Sequence, residues 1–173
     1  VAYSVRETDD GGFIIAANTS SYGAGYWDIY LIKVDKNGNS EWTKTIGGNN
    51  DDRCYAIEQT IDGGFIIAGT TLSFGTEYYN IYLIKTDRNG NEVWAKIFGG
   101  SGGDYAYAVQ ETEDGGLFAV IRKVSVQVDI RMFTLLKQII QAICFGQKHM
   151  EDPVMKVGRQ SVKLQMAAIL LPV

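Results

Sequence analysis

The chain has 173 residues, 46% apolar and 21% charged, with a formal net charge of −4 at pH 7, enough for one globular domain. Its one histidine, His149, and its two widely spaced cysteines, Cys54 and Cys144, exclude a histidine metal centre, a cysteine zinc site and, before Val120, a Ser-His-Asp arrangement. Residues 1–120 hold 8 Lys and Arg against 17 Asp and Glu, a net of −9, which disfavours nucleic acid as a partner because phosphates would be repelled.

Residues 121–173 reverse that balance, with 8 Lys and Arg against 3 Asp and Glu. All 10 Tyr, all 3 Trp and 18 of the 20 Gly precede residue 121, while all 4 Met follow it. The chain therefore divides at Val120 into two kinds of sequence.

Within the first part, Asp10, Asp62 and Asp114 each begin a D-G-G and lie 52 residues apart. Laid without gaps over residues 53–104, residues 1–52 give 27 identities, an unambiguous tandem repeat. The units are 1–52, 53–104 and a partial third, 105–120.

The first unit predicts four strands. "AYSVRET" (Ala2 to Thr8) alternates, placing Tyr3 and Val5 on one face and Ser4 and Arg6 on the other. Asp9-Asp10-Gly11-Gly12 is a turn whose glycines can take φ > 0. "GFIIAANT" and "DIYLIKV" are nearly continuous apolar runs, as expected of strands covered on both faces. Asn37-Gly38 predicts a two-residue type I′ hairpin. "SEWTKTI" (Ser40 to Ile46) alternates again, and Gly47-Gly48 closes the unit.

Two inner strands flanked by two half-exposed ones describe a blade between neighbouring blades. The stretches "DGGFIIAGTT" and "NIYLIKTDRNGNEVWAKIFGG" resemble the tandem β-propeller blades of kelch-like and quinoprotein-like (PQQ-type) repeats. The resemblance covers residues 1–120 and implies an all-β fold of four-stranded antiparallel propeller blades, incomplete in this chain. By analogy with kelch blades, "GFIIAGTT" would be the innermost strand and "YAIEQT" the outermost. Such repeats are familiar in secreted and surface proteins of bacteria and archaea, so the resemblance implies an extracellular or cell-surface location. It leaves function open, since propellers host many activities. The expectation is a non-catalytic binding or structural module of a larger repeat protein, with further blades in the intact protein. The alternatives are a segment of a propeller enzyme such as a quinoprotein dehydrogenase, or a frameshifted fragment with no function.

Two features are candidate sites. The loops "SYGAGYWD" and "SFGTEYYN" place Tyr26-Trp27 and Tyr78-Tyr79 between inner strands, at one rim of a propeller. Loop aromatics on a rigid scaffold suit a carbohydrate or protein ligand; the competing reading packs these rings between blades. "DKNGNSE" and "DRNGNEV" place oxygen side chains at alternate positions, Asp35, Asn37, Asn39 and Asp87, Asn89, Asn91, resembling part of a calcium loop. The acid needed further on fails to recur, since Glu41 becomes Val93, so a hairpin with Asp and Asn bonding its own backbone is favoured. No catalytic residue, metal or cofactor is assigned. Cys54 aligns with Ala2 and Ala106 and reads as a small half-buried filler. Asn18-Thr19-Ser20 matches a glycosylation sequon. No signal peptide or membrane span is visible, and end blades with uncovered apolar faces predict poor solubility.

The tail, 121–173, admits three readings. Met132, Leu135, Leu136, Ile139, Ile140 and Ile143 share a helical face, suiting either a partner or membrane-surface helix, or a short helix packed on the end of the sheet. The third reading is an out-of-frame translation of the next part of the repeat. Methionine has one codon, so in the shifted frame the codons across Met132-Phe133, Met150-Glu151, Met155-Lys156 and Met166-Ala167 must spell Val, Gly, Glu and Gly. The residues 52 positions before each pair's second member are Ile81, Gly99, Asp104 and Gly115. Two of the four are identical and two conservative. The glycine matches alone would arise by chance roughly once in 200 trials at average glycine usage.

Overall fold

The computed structural model describes residues 1–112 and 116–123, and the backbone of residues 165–171. Every regular element in these stretches is a strand, in three antiparallel sheets. The first sheet holds β1 (Ala2–Glu7), β2 (Phe13–Thr19), β3 (Asp28–Val34) and β4 (Ser40–Ile46) in chain order. The second repeats it with β5 (Asp52–Gln59), β6 (Phe65–Thr71), β7 (Asn80–Thr86) and β8 (Glu92–Phe98). The third pairs β9 (Asp104–Glu111) with β10 (Leu117–Lys123), and β11 (Gln165–Leu171) lies on the other side of β10. The helix expected over Met132 to Gly146 lies outside the described residues. The strand at 165–171, an apolar run, was not anticipated by the repeat.

The D-G-G motif is a device for ending the first hairpin. Gly11 N–H donates to the Thr8 carbonyl at 2.8 Å and Thr8 N–H to the Gly12 carbonyl at 2.9 Å, with Gly11 at φ +77°. The Asp10 carboxylate accepts from Thr8 Oγ1 at 2.6 Å and Gly12 N–H at 2.9 Å. It also pairs with Lys33 Nζ at 2.9 Å, tying the turn to β3. A Cβ on Gly12 would stand 2.3 Å from the Val34 carbonyl oxygen, so that position has no room for a side chain. The second unit repeats the arrangement with Thr60, Asp62, Gly63, Gly64 and Lys85.

The β3–β4 hairpin departs from the expected two-residue turn. Gly38 N–H donates to the Asp35 carbonyl and Asp35 N–H to the Asn39 carbonyl, so three residues are spanned, and Gly38 takes φ +85°. The Asp35 carboxylate selects this loop by accepting from Asn37 N–H and Asn39 N–H at 2.8 Å each, and from Asn39 Nδ2 at 2.9 Å.

Sheets meet through two different faces of the unit. Ile14, Ala16, Ile29 and Leu31 of the first sheet pack against Ile57, Phe65, Ile67, Tyr82 and Ile84 of the second. Ile66, Ala68, Ile81 and Leu83 on the second sheet's other side pack against Ala106, Val109, Leu117, Ala119 and Ile121. All of β6 is buried, as continuous apolar runs predict. Among the described residues only one face of the first unit is packed against another sheet. Phe13 is 38% exposed where its repeat equivalent Phe65 is 1% exposed.

The sheets converge on their first strands. β5 lies against β1, β2 and β3, and β9 against β5, β6 and β7. The far strands diverge, leaving a cleft of about 390 Å³ between Lys44 to Gly47 on one side and Gly90 to Glu92 on the other. This reverses the expected phase: "YAIEQT" (β5) sits at the convergent edge, and "GFIIAGTT" (β6) is second from it. The reason is in the joints, where Asp52 N–H donates to the Trp27 carbonyl and Asn18 brackets Cys54 through its side chain. These bonds lay the start of each new unit beside the β2–β3 end of the last.

Candidate functional site

The two aromatic loops split each pair in the same way. Tyr26 and Tyr78 face outward, 77% and 46% exposed, whereas Trp27 and Tyr79 are half-buried at the joints between units. Trp27 lies under the Arg53 guanidinium, 5.5 Å from its ring centre. Arg53 pairs with Asp51 at 2.8 Å, and the Tyr79 hydroxyl donates to the same Asp51 carboxylate at 2.9 Å. Burial and that carboxylate raise the Tyr79 phenol's pKa. The sequence-derived quartet is thus two exposed rings and two that pack between units.

Tight joints explain the glycine pairs. A Cβ on Gly47 would stand 2.2 Å from Asp28 Oδ1 and 2.9 Å from Asp52 Oδ2, and one on Gly99 2.0 Å from Asn80 Oδ1. Asp28 accepts from Gly25 N–H at 3.0 Å, while Asp52 accepts from Gly48 N–H at 2.7 Å and Ser73 Oγ at 2.5 Å. These buried acids brace loop backbone.

The Asp-Asn loops are likewise engaged with themselves. Asp87 repeats the Asp35 pattern with Asn89 and Asn91. Bonds from Asn39 hold the Asp35 carboxyl's pKa down, and bonds from Asn91 do the same for Asp87. Both oxygens of each carboxylate, the atoms a cation would need, accept from their own turn. Among the described residues no group of three or more His, Cys, Asp or Glu is placed to hold a metal ion. Cys54 is fully buried rather than half-buried, with Sγ 3.3 Å from the Ala17 carbonyl oxygen. Burial pushes its thiol up to about 12.

A third group of aromatics, missed in the sequence, lies along the convergent edge. Tyr3, Tyr55 and Tyr107 occupy one repeat position on β1, β5 and β9. Each is skipped by the ladder: Ala2 and Ser4 pair with Ala17 and Ala16, Cys54 and Ala56 with Gly69 and Ala68, Ala106 and Ala108 with Ile121 and Val120. Each tyrosine is therefore a β-bulge, which re-aims its side chain out of the sheet's alternation. The rings form a row, Tyr3 to Tyr55 at 5.9 Å edge to face and Tyr55 to Tyr107 at 5.0 Å. Tyr105 and Tyr79 extend it toward the loops, with centres 6.1 and 5.6 Å apart along the series.

The row lines an open cleft of about 560 Å³ together with Arg6, Glu58 and Gln110. Arg6 Nε donates to Glu58 Oε1 at 2.8 Å. The signal for this site was available in the sequence as tyrosine at a strict 52-residue spacing. A bulge, however, follows from register, which alternation alone does not reveal.

Among the described residues no helix is long and apolar enough to cross a membrane. No protein-family model matches the chain, and no curated protein matches it significantly.

Proposed function

We propose that this chain is part of a β-propeller-type repeat array serving as a non-catalytic binding scaffold within a larger secreted or surface protein. The observation that carries it is the mismatch between equivalent faces. Phe65, Ile67, Tyr82 and Ile84 are buried under the preceding unit, while among the described residues no unit lies over their counterparts Phe13, Ile15, Tyr30 and Ile32, which are exposed or half-buried. A face of that composition suits a further copy of the repeat. Sheets converging on their first strands and opening toward their last have the wedge form that a ring of blades requires. The outward Tyr26 and Tyr78 would then present ligand-binding surface at one rim, for a carbohydrate or a protein.

The test is to fuse a copy of residues 53–104 ahead of Val1. The expected result is a higher denaturation midpoint and less binding of a hydrophobic dye. An unchanged midpoint with undiminished dye binding would refute the stacking. A propeller enzyme is less well supported, because among the described residues no metal-ligand set breaks the symmetry of the two full units.

A second reading concerns the tail alone, and the four forced codons favour it: residues 121–173 are the next repeat read out of frame. Determining the nucleotide sequence tests this. A second frame unable to spell D-G-G across Gln165 to Ala168 would dispose of it.

A further inference from the structure

The centre of the tyrosine row, Tyr3, Tyr55 and Tyr107, belongs to neither packed core nor the rim loops. Its rings are set at bulges in all three units, and a bulge leaves its residue unpaired with the ladder disrupted. Tyr3 is 51% exposed and Tyr107 39% exposed. Beside the rings stand Arg6, Glu58 and Gln110, themselves one repeat position on successive strands, lining the same cleft.

We propose that this cleft binds a neutral oligosaccharide, its sugar rings against Tyr3, Tyr55 and Tyr107 and its hydroxyls bonded to Arg6, Glu58 and Gln110. The inference rests on the reading of the chain as a binding scaffold and assigns that scaffold a different site from the rim loops.

Three properties select this ligand class. Aromatic faces beside planar, hydrogen-bonding side chains match a molecule with apolar C–H faces and an equator of hydroxyls. Among the described residues the charged side chains lining the cleft are Arg6 and Glu58, which form an ion pair at 2.8 Å, so together they offer no net charge to an ionic ligand. The Tyr55 phenol, raised to about 12 chiefly by burial and then by Tyr107, stays neutral and keeps its proton as a donor. An extended peptide is the main rival, because β1 is the first strand of its sheet. Adding a strand needs a regular row of backbone groups, and the bulge at Tyr3 interrupts that row on β1.

The full chain would be titrated calorimetrically with cellohexaose, xylohexaose and maltohexaose, and with an extended valine- and threonine-rich peptide. At least one sugar is expected to bind, and Tyr3→Ala and Tyr107→Ala should each weaken it about tenfold or more, as for a residue central to an interface. Arg6→Gln, which leaves every ring in place, should weaken the same sugar, and Val93→Thr, at an exposed position of β8 outside the cleft, should leave it unchanged. Circular dichroism confirms that each variant keeps its strands. Failure of all three sugars to bind, binding of the peptide alone, or sugar binding undiminished in the Tyr3 and Tyr107 variants would each overturn the assignment. None of these would touch the stacking proposal, which the fused repeat tests separately.

Discussion

Phe13 and Phe65 are the same residue at the same place in two copies of one unit, and they differ only in what covers them. Phe65 is fully buried against Trp42, ring centres 5.9 Å apart. Truncating it to alanine removes the ring from a packed core and leaves a cavity, which costs about 3–5 kcal/mol. Phe13, more than a third exposed, loses only partial burial on truncation, about 1 kcal/mol when scaled from a full-burial value of about 1.5–3 kcal/mol. The assay is urea denaturation of Phe13→Ala, Phe65→Ala and the parent, followed by circular dichroism and by tryptophan emission. Repeat arrays can unfold in parts, so coincidence of the two probes decides whether one free energy applies. The expected gap is about 2–4 kcal/mol. With a copy of residues 53–104 fused in front, Phe13→Ala should become as costly as Phe65→Ala. Equal losses in the unfused chain, or a Phe13→Ala loss unchanged by fusion, would refute the equivalence of the two faces.

Bonds from Lys85, Thr60 and Gly64 lower the Asp62 carboxyl from 3.8 to about 2. A carboxylate depressed on folding contributes stability that is complete above the unfolded value near 3.8 and disappears as pH falls through about 2. The urea midpoint should therefore drop over that window, and Asp62→Asn should flatten part of the drop. In a Cys144→Ser background, Cys54 should resist iodoacetamide at pH 8 in the folded chain and react at once in urea, because its thiol is buried and held near 12. Tyr79→Phe removes the hydroxyl bonded to Asp51 and should cost about 1 kcal/mol by urea denaturation. Tyr78→Phe, at an exposed site, should stay within about 0.5 kcal/mol of the parent.

Strand positions were legible because the period is strict and each unit repeats its own turn chemistry. β2, β3 and β4 fall within a residue of the runs that predict them, since apolar clusters bounded by D-G-G and N-G leave little choice. The phase was not legible. Which strand lies at the convergent edge depends on bonds between units, such as Asp52 to Trp27 and Cys54 to Asn18, and these join residues whose proximity no period encodes. The hairpin at Asn37-Gly38 shows the same limit locally: the dipeptide marks the turn, but the carboxylate of Asp35 decides its length. Of the loop aromatics, exposure divides Tyr26 and Tyr78 from Trp27 and Tyr79, a distinction set by the joint. The tyrosine row needed register, and register needed the bulges.

The buried faces of the unit differ from each other, so contact between units is head to tail and never self-matching. An array built this way can lengthen or shorten by whole units while reusing a single interface. For a gene, that makes duplication or loss of one complete unit a mild event, because every new junction is already solved. A slip of one base is the opposite kind of change, since it erases at once every downstream residue on which the next junction depends.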